Sequence, residues 1–145
     1  MTVVVAGYAS VDRTLRVDRL PTPGVTARVL SDLGGGTERP GGIGHTVLAL
    51  ATDLDDEVAP ICAVGNDAEG RHFVEAMAAA GCRIDGIVTS GTRSPAATLF
   101  VDPDGATAWV FDPAVDWTGL TDAQRQLVAA ADVVVVMIGP AAVTS

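Results

Sequence analysis

Pro40-Gly41-Gly42-Ile43-Gly44-His45-Thr46-Val47-Leu48-Ala49-Leu50-Ala51 decides how this chain is read. Gly41, Gly42 and Gly44 allow a tight backbone bend and the close approach of a ligand. The apolar, alanine-rich run that follows predicts a helix over residues 46–53. Its first unpaired N–H groups are expected to face whatever occupies the bend. A polar small molecule is the expected occupant. Gly42-Ile43-Gly44-His45-Thr46-Val47 opens like a dinucleotide fingerprint, but it closes in Val47 and follows a polar loop instead of a buried strand, so that reading fails.

Upstream of this stretch, the β-branched run Thr2 to Ala6 predicts a buried strand that ends at Gly7. Residues 11–17 alternate loosely and read as an exposed strand. Pro21, Pro23 and Gly24 make a turn, 25–30 return as a partner strand, and 31–40 read as a mobile polar loop. Downstream, 58–64 predict a second buried strand and Gly65 to Gly70 a turn. Asp67 there caps a helix over 68–80, which Gly81 ends. A short strand follows at 84–88. Pro103-Asp104-Gly105 sits between 96–102 and 107–111 and signals a hairpin. Thr121 caps an amphipathic helix to Ala131, and 133–138 read as a fully buried strand. Buried strands that alternate with helices predict a parallel α/β sheet, with the amphipathic strands set apart as a small β layer. Strand 133–138 has no helix after it to cover it, so the chain ends as if cut in mid-architecture.

Composition narrows the function classes. A chain of 145 residues, 48% of them hydrophobic, can bury a core and is not disordered. No apolar run reaches the ~18 residues of a membrane helix, and the N-terminus carries no signal-peptide pattern, so a cytoplasmic location is expected. A net charge of −9 argues against nucleic acid and anionic membranes as partners. All the basic residues are arginine, which excludes a Walker-type or Schiff-base lysine. Cys62 and Cys82 are expected to be reduced core residues.

Four pieces resemble the N-terminal half of the ribokinase-like, PfkB-type carbohydrate kinases: Gly7 to Asp12, Pro40 to Thr46, Ala63 to Gly70, and the hairpin around Pro103-Asp104-Gly105. The resemblance runs the length of the chain. It implies a three-layer sandwich around a parallel sheet, N-terminal half only, with β-lid segments at about 11–39 and 96–112. The implied family activity is ATP-dependent phosphorylation of a hydroxymethyl group on a sugar or nucleoside, with ATP and Mg²⁺ as cofactors. Thr46 stands where the family has Asn, and Ile43 where ribokinases proper keep a lysine. The Gly-x-Gly-Asp motif that carries the family's catalytic base is not in this sequence, nor is the family's ATP site. The resemblance therefore implies a chain that binds substrate but is inactive alone, binds no cofactor and offers no catalytic residue.

The candidate substrate-binding residues are Asp12, Ser10, Gly41, Gly42 and Thr46. An ionised carboxylate at Asp12 accepts hydrogen bonds from two vicinal hydroxyls. Gly65, Asp67 and Gly70 are expected to serve as a structural turn. His45 has no evident partner and reads as a surface or lid-facing side chain, while Trp109, Phe111 and Trp117 either line a sugar pocket or pack the lid, with packing the expected role. No metal site is expected from Asp102, Asp104, Asp112 and Asp116. The alternatives are a non-catalytic sugar-binding module, a module that dimerises through its β lid, or one subunit of a split kinase completed by a C-terminal half.

Overall fold

The computed structural model describes residues 1–34 and 39–144. The strands are β1 (Thr2–Ala6), β2 (Ala9–Val17), β3 (Val29–Asp32), β4 (Arg39–Gly42), β5 (Glu57–Val64), β6 (Ile87–Thr89), β7 (Ala96–Val101), β8 (Thr107–Asp112) and β9 (Val133–Val136). The helices are α1 (Ile43–Asp53), α2 (Ala68–Ala79), α3 (Asp122–Ala130) and the short α4 (Ala141–Thr144). Among the described residues no helix is long and apolar enough to cross a membrane.

The parallel sheet has the order β6-β5-β1-β9. Side chains alternate across a strand, so one valine run feeds two cores. Val3 and Val5 of β1 pack with Ile43, Val47, Phe73 and Met77 of α1 and α2. Val4 and Ala6 face the opposite side, with Trp117 and Leu127. The result is a three-layer α/β/α arrangement. Pro60 is tolerated inside β5 because its missing N–H falls on the β6 side, where β6 pairs only from Cys62 onward. Both cysteines are buried and unbridged, and burial pushes each thiol up from its ordinary value.

The second sheet is mixed. β2 pairs in parallel with β7 and antiparallel with β3 and β4, while β8 returns from β7 as a hairpin. Asp102 Oδ1 accepts from the N–H groups of Asp104 and Ala106 at 3.0 and 2.9 Å, and Gly105 supplies φ +83°. The hairpin is thus closed by the chemistry its sequence advertises.

Several expectations change. Strand β2 is half-buried, because Val11, Leu15 and Val17 turn inward. The expected loop over 31–40 is strand at both ends, since β3 reaches Asp32 and β4 begins at Arg39; residues 35–38 of that reading lie outside the described residues. The returning strand is β3, four residues later than the run 25–30 begins. Helix α1 starts at Ile43, before the expected 46. The largest change is β9. It was expected to be fully buried, yet Val133 and Val134 are 41% exposed and Val136 54%. β9 is an edge strand, and among the described residues only β1 pairs with it.

Candidate functional site

The site is built where β4 runs into α1. The glycine stretch is no free bend: Pro40, Gly41 and Gly42 form strand beside β2, with Ser10 opposite Gly41 and Ala9 opposite Gly42. Gly42 has φ +56°, and a Cβ there would stand 2.1 Å from the Tyr8 carbonyl oxygen. Only glycine meets both conditions. The Ile43 N–H donates to that carbonyl at 2.9 Å. One of the helix's unpaired N–H groups is therefore used by the chain itself, contrary to the expectation that they face a ligand. At Gly41 a Cβ would lie 1.9 Å from Asp12 Cγ. Gly41 thus lets the β2 carboxylate lie across β4.

Asp12 is the centre of a small polar corner. Its Oδ1 accepts from the Ser10 hydroxyl at 2.7 Å. Its Oδ2 stands 3.6 Å from His45 Nε2, with His45 60% and Asp12 15% exposed. The hydroxyl fixes one oxygen and leaves the other to a looser contact, so the carboxylate keeps acceptor capacity. All three side chains line a cavity of about 450 Å³.

The rest of the cavity is largely apolar, with Tyr8 also on its lining. Ile43 contributes to its wall, Met137 and Ile138 follow from the end of β9, and Trp109 and Phe111 come from β8. Trp109 and Phe111 are alternate strand residues and so share a face. They remain 58% and 44% exposed, because they border the cavity instead of filling a core. Of the two roles open to them from the sequence, lining and packing, Trp109 and Phe111 take the first. Phe111 meets Tyr8 edge-on, with ring centroids 5.3 Å apart at 61°. Trp117 does pack, against the face of the sheet that carries Val4.

The candidate residues divide by position. Asp12, Ser10 and Gly42 line the cavity and Gly41 supports Asp12, whereas Thr46, further along α1, is not among the lining residues. His45 has a partner after all, in Asp12. Sequence reasoning missed this pair because only the β2–β4 pairing brings it together. The fact that His45 sits three residues past a glycine of a strand-to-helix junction was its one signal.

The Gly65–Gly70 turn is structural in its contacts. Asp67 caps α2 by accepting from the Gly70 N–H at 2.8 Å, and it accepts from the Ser94 N–H and hydroxyl, both at 2.6 Å. Desolvation, the largest single influence, pushes the carboxyl up. The Ser94 and Gly70 donors together outweigh it and hold the group below its ordinary value. Among the described residues, no group of three or more His, Cys, Asp or Glu side chains could hold a metal ion.

Comparison with known proteins matches this arrangement to a family. The pfkB family carbohydrate kinase pattern covers residues 1–142. Among solved structures, a ribokinase from Giardia lamblia superposes with a TM-score of 0.76 at 21% identity, over 93% of this chain and 41% of that one. The Arabidopsis thaliana ribokinase complexed with ribose and ATP gives 0.75 at 20% identity, over 92% and 44%. The microbiome-derived acarbose kinase Mak1 gives 0.73 at 27% identity, also over 92% and 44%. The chain thus spans less than half the length of these structures. The comparison with curated proteins gives no match. On the strength of the pattern over residues 1–142, the chain belongs to the pfkB family of carbohydrate kinases.

Proposed function

We propose that this chain is the acceptor-binding half of an ATP-dependent kinase that phosphorylates a hydroxymethyl group of a sugar or nucleoside. Phosphoryl transfer depends mostly on positioning and charge stabilisation. The chain supplies positioning. The observation that carries the reading is the Asp12 carboxylate, fixed by Ser10 and Gly41 and turned into the cavity with acceptor capacity to spare. An ionised carboxylate in that state takes two vicinal hydroxyls. In this reading Gly42 brings backbone close to the substrate, Thr46 plays a secondary part, and the segments 11–39 and 96–112 act as a lid.

In this reading the cavity at Asp12 holds the acceptor and supplies no lysine or arginine for the phosphates of ATP. No described carboxylate cluster is suited to a cation. The Gly-x-Gly-Asp sequence is also absent. The chain alone is therefore proposed to bind acceptor without catalysis. The exposed valines of β9 favour completion of the sheet by a C-terminal half, in the same or a second polypeptide. The exposed Val29, Leu30 and Val110 of the second sheet favour the competing reading of a dimer formed through the lid. Light scattering separates the two, since a stable monomer removes the dimer.

Calorimetric titration with a panel of sugars and nucleosides tests the main reading. Binding is expected, with Asp12→Ala weakening it about thirtyfold or more, the scale of a hydrogen bond to a charged group. If no sugar or nucleoside binds, or Asp12→Ala binds as the parent does, the reading fails. Phosphorylation of any sugar by the lone chain with ATP would overturn its proposed inactivity.

A further inference from the structure

The polar corner at Asp12 holds two acceptor oxygens and one titrating neighbour. Oδ1 is occupied by the Ser10 hydroxyl at 2.7 Å. Oδ2 stands 3.6 Å from His45 Nε2, too far for a hydrogen bond and close enough for an ion pair. Oδ2 is therefore the oxygen left for a ligand hydroxyl, and His45 is the side chain placed to compete for it. The imidazole is 60% exposed, so protons reach it from solvent.

Histidine is the side chain whose ordinary charge change falls between about pH 5 and 8. Carboxylates are ordinarily ionised over that interval. Protonation turns a neutral neighbour of Asp12 into a cation facing an anion. The imidazolium donates to Oδ2 and uses the acceptor capacity that a hydroxyl needs. The neutral imidazole holds the carboxylate less strongly and has an acceptor nitrogen of its own. His45 also lies in the first turn of α1, where unpaired N–H groups make the surroundings positive. Asp12 is the group that makes a positive charge tolerable there. A ligand hydroxyl that takes Oδ2 removes that support, so ligand and proton disfavour one another. The surrounding charges do not take this role. Of the elements packed on α1, β1 carries no charged side chain, and Glu57 of β5 pairs with Arg83. Arg13 and Arg16 of β2, and Glu69, Arg71, His72 and Glu75 of α2, are outside the cavity lining. Arg39 of β4 stands opposite Asp12 in register and shares with it a second cavity of about 140 Å³, but a guanidinium keeps its charge throughout. Tyr8 is on the lining, and phenols titrate well above this interval.

We propose that His45 is a proton-controlled gate on the acceptor site, pairing with Asp12 and weakening acceptor binding when protonated, and releasing the carboxylate when neutral. This rests on the reading of Asp12 as the sugar-binding carboxylate. His45 is in this sense a positioning residue, since it acts through Asp12. Acceptor affinity therefore rises with pH across the imidazole range, and binding within that range releases protons to solvent.

The test titrates the 145-residue chain calorimetrically with D-ribose, D-fructose and adenosine at about pH 5.5, 6.5 and 8. A probe that binds is expected to bind about fivefold or more tighter at the highest pH than at the lowest. Repeating the middle titration in buffers of different ionisation heat measures the protons exchanged, and net release is expected. His45→Gln keeps a polar side chain that cannot ionise. Its affinity is expected to be level across the three pH values, with no proton release. His72→Gln, which changes the chain's other histidine, is expected to keep both effects. His45 is exposed, and far-UV circular dichroism at each pH checks that parent and variants fold. An affinity that is level or falls with pH in the parent would overturn this inference, and weakening by Asp12→Ala would then leave the Asp12 reading standing. A pH slope that survives in His45→Gln, or is lost in His72→Gln, would overturn it too, as would proton uptake on binding. Failure of every probe to bind at any pH would remove both readings.

Discussion

Two aspartates lie against glycine-rich junctions in this molecule, and they are used in opposite ways. Asp67 has its acceptors filled by Gly70, the Ser94 backbone and the Ser94 hydroxyl, and that hydroxyl in turn accepts from the Gly65 N–H at 2.9 Å. The loop is closed on itself: a Cβ at Gly65 would meet the Arg93 backbone at 2.1 Å, and one at Gly70 would meet the Gly65 carbonyl oxygen at 2.3 Å. Asp12 receives one hydroxyl hydrogen bond and stands at 3.6 Å from an exposed imidazole. Both are acidic residues beside glycines near a helix start. The saturated one holds the fold, and the one with acceptor capacity facing a cavity is equipped to hold a ligand.

The strongest test of the contrast lies at the junction beneath Asp12. Gly42→Ala is expected to cost about 3 kcal/mol in urea unfolding, since it adds a left-handed backbone penalty to a clash with the Tyr8 carbonyl. A cost below about 1 kcal/mol would mean that the β4–α1 junction yields easily and does not fix the corner. Next comes Asp67→Ala, expected to lower stability by about 2 kcal/mol through loss of the cap and the Ser94 contacts. Sugar affinity per folded molecule should be unchanged, whereas Asp12→Ala should show the reverse pattern. Equal effects of the two on affinity would break the comparison.

The smallest effect is on the pH dependence of stability. The folded pKa of Asp67 is lowered, so its contribution is fully present above the unfolded value of about 4. That contribution is lost as pH falls through the lower folded value. Acid titration of the urea midpoint should show this loss in the parent and a flatter profile in Asp67→Asn. An unchanged profile would remove Asp67 from the set of groups that link folding to protons.

Much of the fold was legible because local chemistry and tertiary structure agree. Asp67 caps α2 as its place before an alanine-rich helix implies. Thr121 and Gln124 form a full capping box at α3. Pro103-Asp104-Gly105 closes the β7–β8 hairpin. The failures share one cause. Val133 to Val136 is apolar enough for a central strand, but sequence hydropathy reports what a strand is suited to touch and not what stands beside it. Trp109 and Phe111 left two roles open for the same reason, since an aromatic side chain reads alike whether it fills a core or walls a cavity. His45 and Asp12 meet only through strand pairing, which no local pattern encodes.

By itself the sequence determined the alternation of strands and helices, the buried strand over Thr2 to Ala6, and the glycines at the β4–α1 junction. These follow from side-chain periodicity and backbone freedom, which are properties of neighbouring residues. Only the tertiary structure decided that Gly41 accommodates a carboxylate from another strand, that β9 is an open edge, and that the β8 aromatics face a cavity. Those outcomes depend on which distant segments share a surface, and strand register sets that over the whole molecule.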